Sequence, residues 1–186
     1  MGLRPRWLPV ALARLALSLP AVGALDNGLA RTPWMGFSFW ETFRCTTCEQ
    51  DPHNCLSEKL VQETTDAMVS GGFRDAGYTI VWIDDCWADK SARSPSGAIQ
   101  PDKGRFPNGM KAVSDYVHAR NMSLGLYGDI GTATCEGFPG LQAAGGTGGY
   151  DANAQQMAEW EIDAFKVDGS VLSTSLAALP SQRTSR

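Results

Sequence analysis

The sequence predicts an α/β domain built on a parallel sheet, and three observations carry that prediction. From Leu25 onward, short apolar runs rich in β-branched and aromatic residues alternate with stretches of helical period, the pattern of strands joined by crossover helices. The repeating units are long enough for right-handed crossovers between parallel strands. Each predicted strand also closes on polar side chains: Glu41, then Asp84 and Asp85, then Tyr127 with Asp129, then Lys166 with Asp168. Parallel α/β folds bind ligands at the carboxyl ends of their strands, so these side chains fall on one rim. A β/α barrel and a doubly wound open sheet both meet this description, and periodicity does not separate them.

The elements follow in order. Trp34 to Trp40 is aromatic and apolar and predicts a first strand, followed by a polar, cysteine-bearing loop from Thr42 to Asn54. Ser57 caps a helix whose apolar positions are Leu60, Val61, Thr64, Ala67 and Met68, and Gly71-Gly72 ends it. Tyr78 to Ile83 is a second strand running into Asp84-Asp85, and the Pro/Gly/Ser-rich stretch from Lys90 to Asn108 reads as a loop. Met110, Val113, Tyr116 and Val117 mark one face of the next helix, with Asn121 as its left-handed cap. Leu124 to Tyr127 is a third strand, ending at Asp129. Gly137 to Gly149 is glycine-rich but contains no lysine, so it reads as a mobile loop and not as a phosphate cradle. Asp151 caps a helix carrying Ala154, Met157, Ala158 and Trp160, and Phe165-Lys166-Val167-Asp168-Gly169 is then a buried strand with a sharp glycine exit. Asn121-Met122-Ser123 is an N-glycosylation sequon, usable if this helix–strand turn is exposed. From Ser170 to Arg186 the rhythm breaks, and the Ser/Thr-rich composition predicts a divergent, disordered tail with at most a short helix before Pro180.

Of the 186 residues, 43% are hydrophobic and 19% charged, an ordinary globular composition and one domain's worth of length. No basic run stands out and the formal charge is −4, which argues against a nucleic-acid partner. Residues 1–24 read as a secretory signal: Arg4 and Arg6 precede a mostly Leu/Ala/Val run from Trp7 to Pro20, broken by Arg14, and Val22-Gly23-Ala24 offers small residues for cleavage. The run is too short and interrupted to serve as a permanent membrane anchor. Its removal takes away three arginines and makes the chain more acidic.

Behind such a signal the five cysteines, Cys45, Cys48, Cys55, Cys86 and Cys135, read as disulfide partners with one left over. Cys45-x-x-Cys48 also has the form of a zinc or redox pair, but no second such pair follows and His53 and His118 are not at ligand spacing. No metal and no cofactor are expected. An Asp two residues after a Lys at a strand end is the arrangement of a nucleophile kept ionised by a neighbouring charge. From the residues alone the structural reading comes first: Asp168 as a strand-end cap or a partner of Lys166, and Asp84-Asp85 as a helix or turn cap.

Many of these motifs occur together in one known family. Leu25-Asp26-Asn27-Gly28-Leu29-Ala30, Thr32-Pro33, Met35-Gly36, Ser57-Glu58-Lys59-Leu60, Asp75-Ala76-Gly77-Tyr78 and Ile83-Asp84-Asp85-Cys86-Trp87 stand in order. Arg105-Phe106-Pro107, Tyr116-Val117-His118, Leu124-Gly125-Leu126-Tyr127, Thr134-Cys135 with Gly137-Phe138-Pro139-Gly140, and Lys166-Val167-Asp168-Gly169 follow. From Leu25 to Gly169 the chain resembles the animal lysosomal α-galactosidase and α-N-acetylgalactosaminidase family.

That resemblance implies the N-terminal half of a (β/α)8 barrel over residues 25–169, a truncated retaining glycosidase that continues into a divergent tail. It implies Asp168 as nucleophile, Asp84 and Asp85 as acceptors from the galactose 4- and 6-hydroxyls, Lys166 as a donor to ring hydroxyls, and Trp40 and Tyr127 as aromatic walls. Carboxylates receive sugar hydroxyls through strong charge-assisted bonds, and aromatic faces cover the apolar side of a hexose. The implied substrate is a terminal α-linked galactose or N-acetylgalactosamine of a glycolipid or glycoprotein, met in a lysosome or outside the cell. The implied disulfides are Cys45 with Cys86 and Cys48 with Cys55; the partner position of Cys135 is occupied by Ser170. The family's homodimer contacts draw on parts beyond this sequence.

Retaining glycosidases need a second carboxyl group about 5–5.5 Å from the nucleophile. The family carries it on a later strand, and neither Asp129 nor Asp163 matches it. The expectation is a chain without hydrolytic turnover, whose first and last strands present open edges that barrels normally abolish. The alternative is a non-catalytic sugar- or partner-binding fragment.

Overall fold

Four short runs of apolar and small residues pair into one parallel sheet, because each can bury one face under helices and present the other to the inside of a curved sheet. The computed structural model describes residue 28, residues 31–142 and residues 149–169. The predicted signal segment, the tail from residue 170 and residues 143–148 of the glycine-rich loop lie outside the described residues. The chain divides into a unit of residues 1–32 and a unit of residues 33–186, and every described helix and strand belongs to the second.

The order of elements is β1 (Gly36–Ser38), α1 (Phe39–Phe43), α2 (Glu58–Ser70), β2 (Ile80–Ile83), β3 (Ala88–Arg93), β4 (Ile99–Pro101), α3 (Gly109–His118), β5 (Ser123–Asp129), α4 (Tyr150–Glu159) and β6 (Ala164–Asp168). The main sheet runs β1-β2-β5-β6 with every neighbouring pair parallel. Each new strand is added on the same side of the last. A doubly wound sheet would reverse at a switch point, so this winding is that of a β/α barrel.

The helical face of the sheet forms the core. Val81, Ile83, Leu124 and Leu126 are fully buried there against Val61, Met110, Val113 and Val117. Ser57 caps α2 as expected, accepting from the Leu60 amide at 3.3 Å. The Arg105 guanidinium fastens the cysteine loop by donating to the carbonyls of Thr46, Leu56 and Cys45. The disulfides are Cys45–Cys86 and Cys48–Cys55, and Cys135 is exposed and unbridged. Asn121 is exposed and adopts the expected left-handed conformation, with φ 54°.

Several expectations need correction. The first strand stops at Ser38, whose hydroxyl accepts from the Trp40 amide and starts α1, so Trp40 and Glu41 lie on a short helix. The Lys90–Asn108 region is not all loop. It completes an antiparallel hairpin, β3 with β4, whose turn closes through Ser94 and Gly97, the latter at φ 90°. Tyr116 leaves the buried face of α3, donates to Asp66 at 2.7 Å and lies under the Arg120 guanidinium. Asp151 sits inside the first turn of α4, and Gly149 takes the cap position. Ala154 and Ala158 are exposed, and β6 is an edge strand with Val167 61% exposed.

On the inner face, Gly125 and Trp82 are adjacent across β5 and β2. A Cβ at Gly125 would stand 2.5 Å from the indole ring, closer than any real contact. Replacing Gly125 by Ala is expected to destabilise the protein by about 1–3 kcal/mol through overpacking. The cost should shrink when Trp82 is also Ala, a coupling that urea denaturation of the single and double variants would measure.

Candidate active site

The carboxyl ends of β2, β5 and β6 bring together four of the polar side chains read from the sequence. Parallel register sets Tyr127 beside Lys166 and Asp129 beside Asp168. Residues two apart share a face of a strand, so Asp84, Tyr127, Lys166 and Asp168 all project inward. The Lys166 ammonium donates to Asp84 Oδ2 at 2.8 Å and stands 5.0 Å from the centre of the Tyr127 ring. The Tyr127 hydroxyl donates to Asp168 Oδ2 at 3.1 Å, and the Gly169 amide donates to Asp168 Oδ1 at 2.7 Å. One connected chain of contacts thus runs Asp84, Lys166, Tyr127, Asp168.

The turn after β2 places the second carboxylate. Asp84 Oδ1 accepts from the Asp85 amide at 2.9 Å, and Asp85 Oδ1 accepts from the Cys86 amide at 2.7 Å. Cys86 is held in the left-handed region at φ 73° and is tied to Cys45. The chain bends sharply there, and both aspartates stay at the rim, nearly inaccessible. Burial pushes the Asp85 carboxyl above the usual carboxylate range, against the opposing effect of bonds from Thr134 and the backbone. Burial and the charges of Asp85 and Asp168 hold the Tyr127 hydroxyl far above an ordinary phenol, so it remains a donor to Asp168.

A cleft of about 230 Å³ opens beside the Asp84–Lys166 pair, lined by Trp34, Phe37, Ser38, Ile80 and Trp82. Trp40 is not among its lining residues; half-buried, it packs on the core with the Arg44 guanidinium 5.5 Å from its ring centre. Trp34 and Trp82, 6.4 Å apart edge to face, are the tryptophans of this cleft. Sequence reading passed over both, although Trp82 shares the parity of Asp84. A larger hollow of about 600 Å³ lies between the β3–β4 hairpin and the start of α3, and Asp84, Asp85 and Asp168 are not part of it.

The two leftover acids have structural partners. Asp129 is fully buried and accepts from the Gly131 amide at 2.6 Å. Asp163 binds His118 and the Leu124 amide at the opposite end of β5. No group of three or more potential metal ligands occurs among the described residues. No described helix is long and apolar enough to cross a membrane.

The titration of Asp85 makes a prediction. A carboxyl raised above its unfolded value contributes most stability below the ordinary carboxylate range and loses it as pH rises through the raised value. Asp85→Asn removes that loss. Its Tm should exceed that of the parent at pH 7, and by much less at pH 4, in a thermal scan.

Residues 32–181 match the family pattern described as alpha galactosidase A. The chain is 46% identical over 159 residues to human alpha-galactosidase A, covering 85% of this chain and 36% of that protein. It is 48% identical over 146 residues to chicken alpha-N-acetylgalactosaminidase, covering 78% of this chain and 35% of that protein. A solved alpha-galactosidase from Saccharomyces cerevisiae with raffinose superposes with a TM-score of 0.66 at 35% identity, covering 77% of this chain and 28% of that one. The chain therefore spans about a third of the length of the curated relatives it matches.

Proposed function

The chain belongs to the alpha galactosidase A family, and from that premise we propose that its strand rim binds a terminal α-linked galactose or N-acetylgalactosamine, with Asp168 as the retaining nucleophile. The observation that carries this reading is the shared rim. Asp168, which accepts the Tyr127 hydroxyl, faces the same side as Asp84, whose partner Lys166 lies against the Tyr127 ring.

In this reading Asp84 and Asp85 accept the sugar's 4- and 6-hydroxyls. Lys166 gives up part of its bond to Asp84 and donates to ring hydroxyls, as its 46% exposed side chain allows. Trp40 and Tyr127 flank the ring. Asp168 attacks the anomeric carbon, the glycosidic C–O bond breaks, and a glycosyl ester forms on the carboxylate. Tyr127 and the Gly169 amide occupy one bond each on Asp168, orienting the attacking oxygen without neutralising it.

Departure of an ordinary alcohol needs a proton donor. No residue among those described takes that role, so the chain alone is expected to accept an activated sugar but not to turn over. Two relatives of nearly equal identity carry the names of galactose- and N-acetylgalactosamine-cleaving enzymes, and the reading covers both sugars. The proposed setting is the secretory pathway, as lysosomal or secreted protein, where the two disulfides persist.

The test is mass spectrometry after incubation with an activated fluoro-galactoside. One hexosyl adduct is expected on the peptide holding Asp168, and none in Asp168→Asn; an adduct elsewhere would refute the assignment. An unactivated α-galactosyl disaccharide should not be hydrolysed. Lys166→Met should weaken galactose binding, measured by calorimetry, about tenfold or more, the worth of one charge-assisted hydrogen bond.

A further inference from the structure

Helix α3 stops in a way that leaves one asparagine in water. The Met122 amide donates to the Val117 carbonyl at 3.3 Å, and the Asn121 amide donates to the His118 carbonyl at 2.9 Å. That pair of bonds is a Schellman stop, which needs a left-handed residue where Asn121 stands at φ 54°. Its apolar anchor is present as well, since Met122 and Val117 are both buried in the core. Asn121 itself is exposed. Ser123 then opens β5 level with Ile80, and its amide donates to the Thr79 carbonyl at 2.8 Å.

Backbone geometry accounts for the residue at 121 but not for the one at 123. Glycine meets a left-handed requirement at least cost, and asparagine also serves there. The Ser123 hydroxyl has no such duty. Like the side-chain amide of Asn121, it bonds to no described residue. An exposed asparagine and an uncommitted hydroxyl two residues on, with Met and not Pro between them, form the acceptor triplet for N-linked glycosylation. No other such triplet occurs in the sequence.

We propose that Asn121 is an N-glycosylation site whose co-substrate is a lipid-linked pyrophosphate oligosaccharide. A bond forms between the Asn121 side-chain nitrogen and the anomeric carbon of the sugar, and the bond from that carbon to the pyrophosphate oxygen breaks. The pyrophosphate leaves with the electron pair, and the amide gives up one proton. Occupancy rests on the secretory setting proposed for the chain, because the transfer takes place in that compartment's lumen.

The fold accommodates the product. A glycan is bulky and solubilising and needs hydrated ground. Charged groups supply it: Arg74 donates to the Arg120 carbonyl at 3.2 Å, and the Arg120 guanidinium pairs with Asp66. The turn is also far from the strand rim. Asn121 precedes the seven residues of β5, which place Tyr127 about 20 Å away at roughly 3.3 Å per residue. A glycan at this end of the sheet leaves the end that carries Asp84 and Asp168 open.

The test is translation of the full-length chain with microsomes, with lumenal entry read by protection from added protease. Protected chain should run as one slower band that peptide-N-glycosidase collapses, and the deamidation left by that enzyme should map to position 121. Asn121→Gln and Ser123→Ala should each lose the shift completely, while Ser123→Thr keeps it. Asn121→Gly preserves the helix stop and removes the acceptor, so it should enter the lumen as well as the parent and stay unmodified. On folded, secreted chain the glycosidase should act without denaturant, because Asn121 is exposed. Protected but unmodified parent chain overturns the site and leaves the secretory reading standing. Parent chain that remains open to protease overturns both. A shift that survives in Asn121→Gln, or a glycan released only after denaturation, overturns the placement at this turn.

Discussion

The register of β5 against β6 is the constraint on which the site depends. It sets Tyr127 beside Lys166 and Asp129 beside Asp168, and a slip of one residue would turn every one of these side chains to the other face. The outer positions resist that slip. Leu126 is fully buried, and an added Cβ at Gly128 would meet the Phe165 ring at 2.7 Å. Packing on the helical side therefore fixes chemistry on the inner side, and the hydrogen bond from Tyr127 to Asp168 is a consequence of the ladder more than a cause of it.

The second half of the rim is held differently. Asp84 and Asp85 follow a strand of only four residues, too short to orient two adjacent carboxylates by pleat alone. Their positions come from the backbone beyond them. Asp85 binds the amide of Cys86, Cys86 takes a positive φ, and the disulfide to Cys45 ties that turn to the loop that Arg105 anchors. A residue in the left-handed region costs about 1–3 kcal/mol. Buried Trp87, whose indole donates to the Tyr127 carbonyl at 2.9 Å, links the same turn to β5. Two structural devices of long sequence separation thus meet at one tight turn.

Much of this was legible in the sequence. Helix α2 was readable because its cap and apolar spacing are local, and the rim was readable because strand ends are local too. Which way successive strands wind is not local, and only the paired strands separated barrel from doubly wound sheet. The β3–β4 hairpin was hidden by the Ser94–Gly97 turn, whose composition resembles that of a whole loop although residues on both sides of it pair. Ala154 and Ala158 carry helical spacing but remain exposed, since periodicity identifies a face and not what covers it. Trp34 and Trp82 went unmarked, because a tryptophan's place in a cleft depends on what lies opposite it, as Gly125 lies opposite Trp82.

The inner face brings these observations to one point. Parity places Trp82 directly beneath Asp84, with Gly125 making room for its ring. Its indole nitrogen is buried and has no hydrogen-bond partner among the described residues. An unmet buried donor costs about 1–3 kcal/mol, a penalty that an apolar ring of similar size would avoid. The alternation that lines the inside with Asp84, Lys166 and Asp168 also turns Phe37, Phe165 and Val167 to the outside of the same strands. A rim able to hold a sugar and the apolar packing that supports it are therefore two faces of one pleat, and the ladder that orders the first also orders the second.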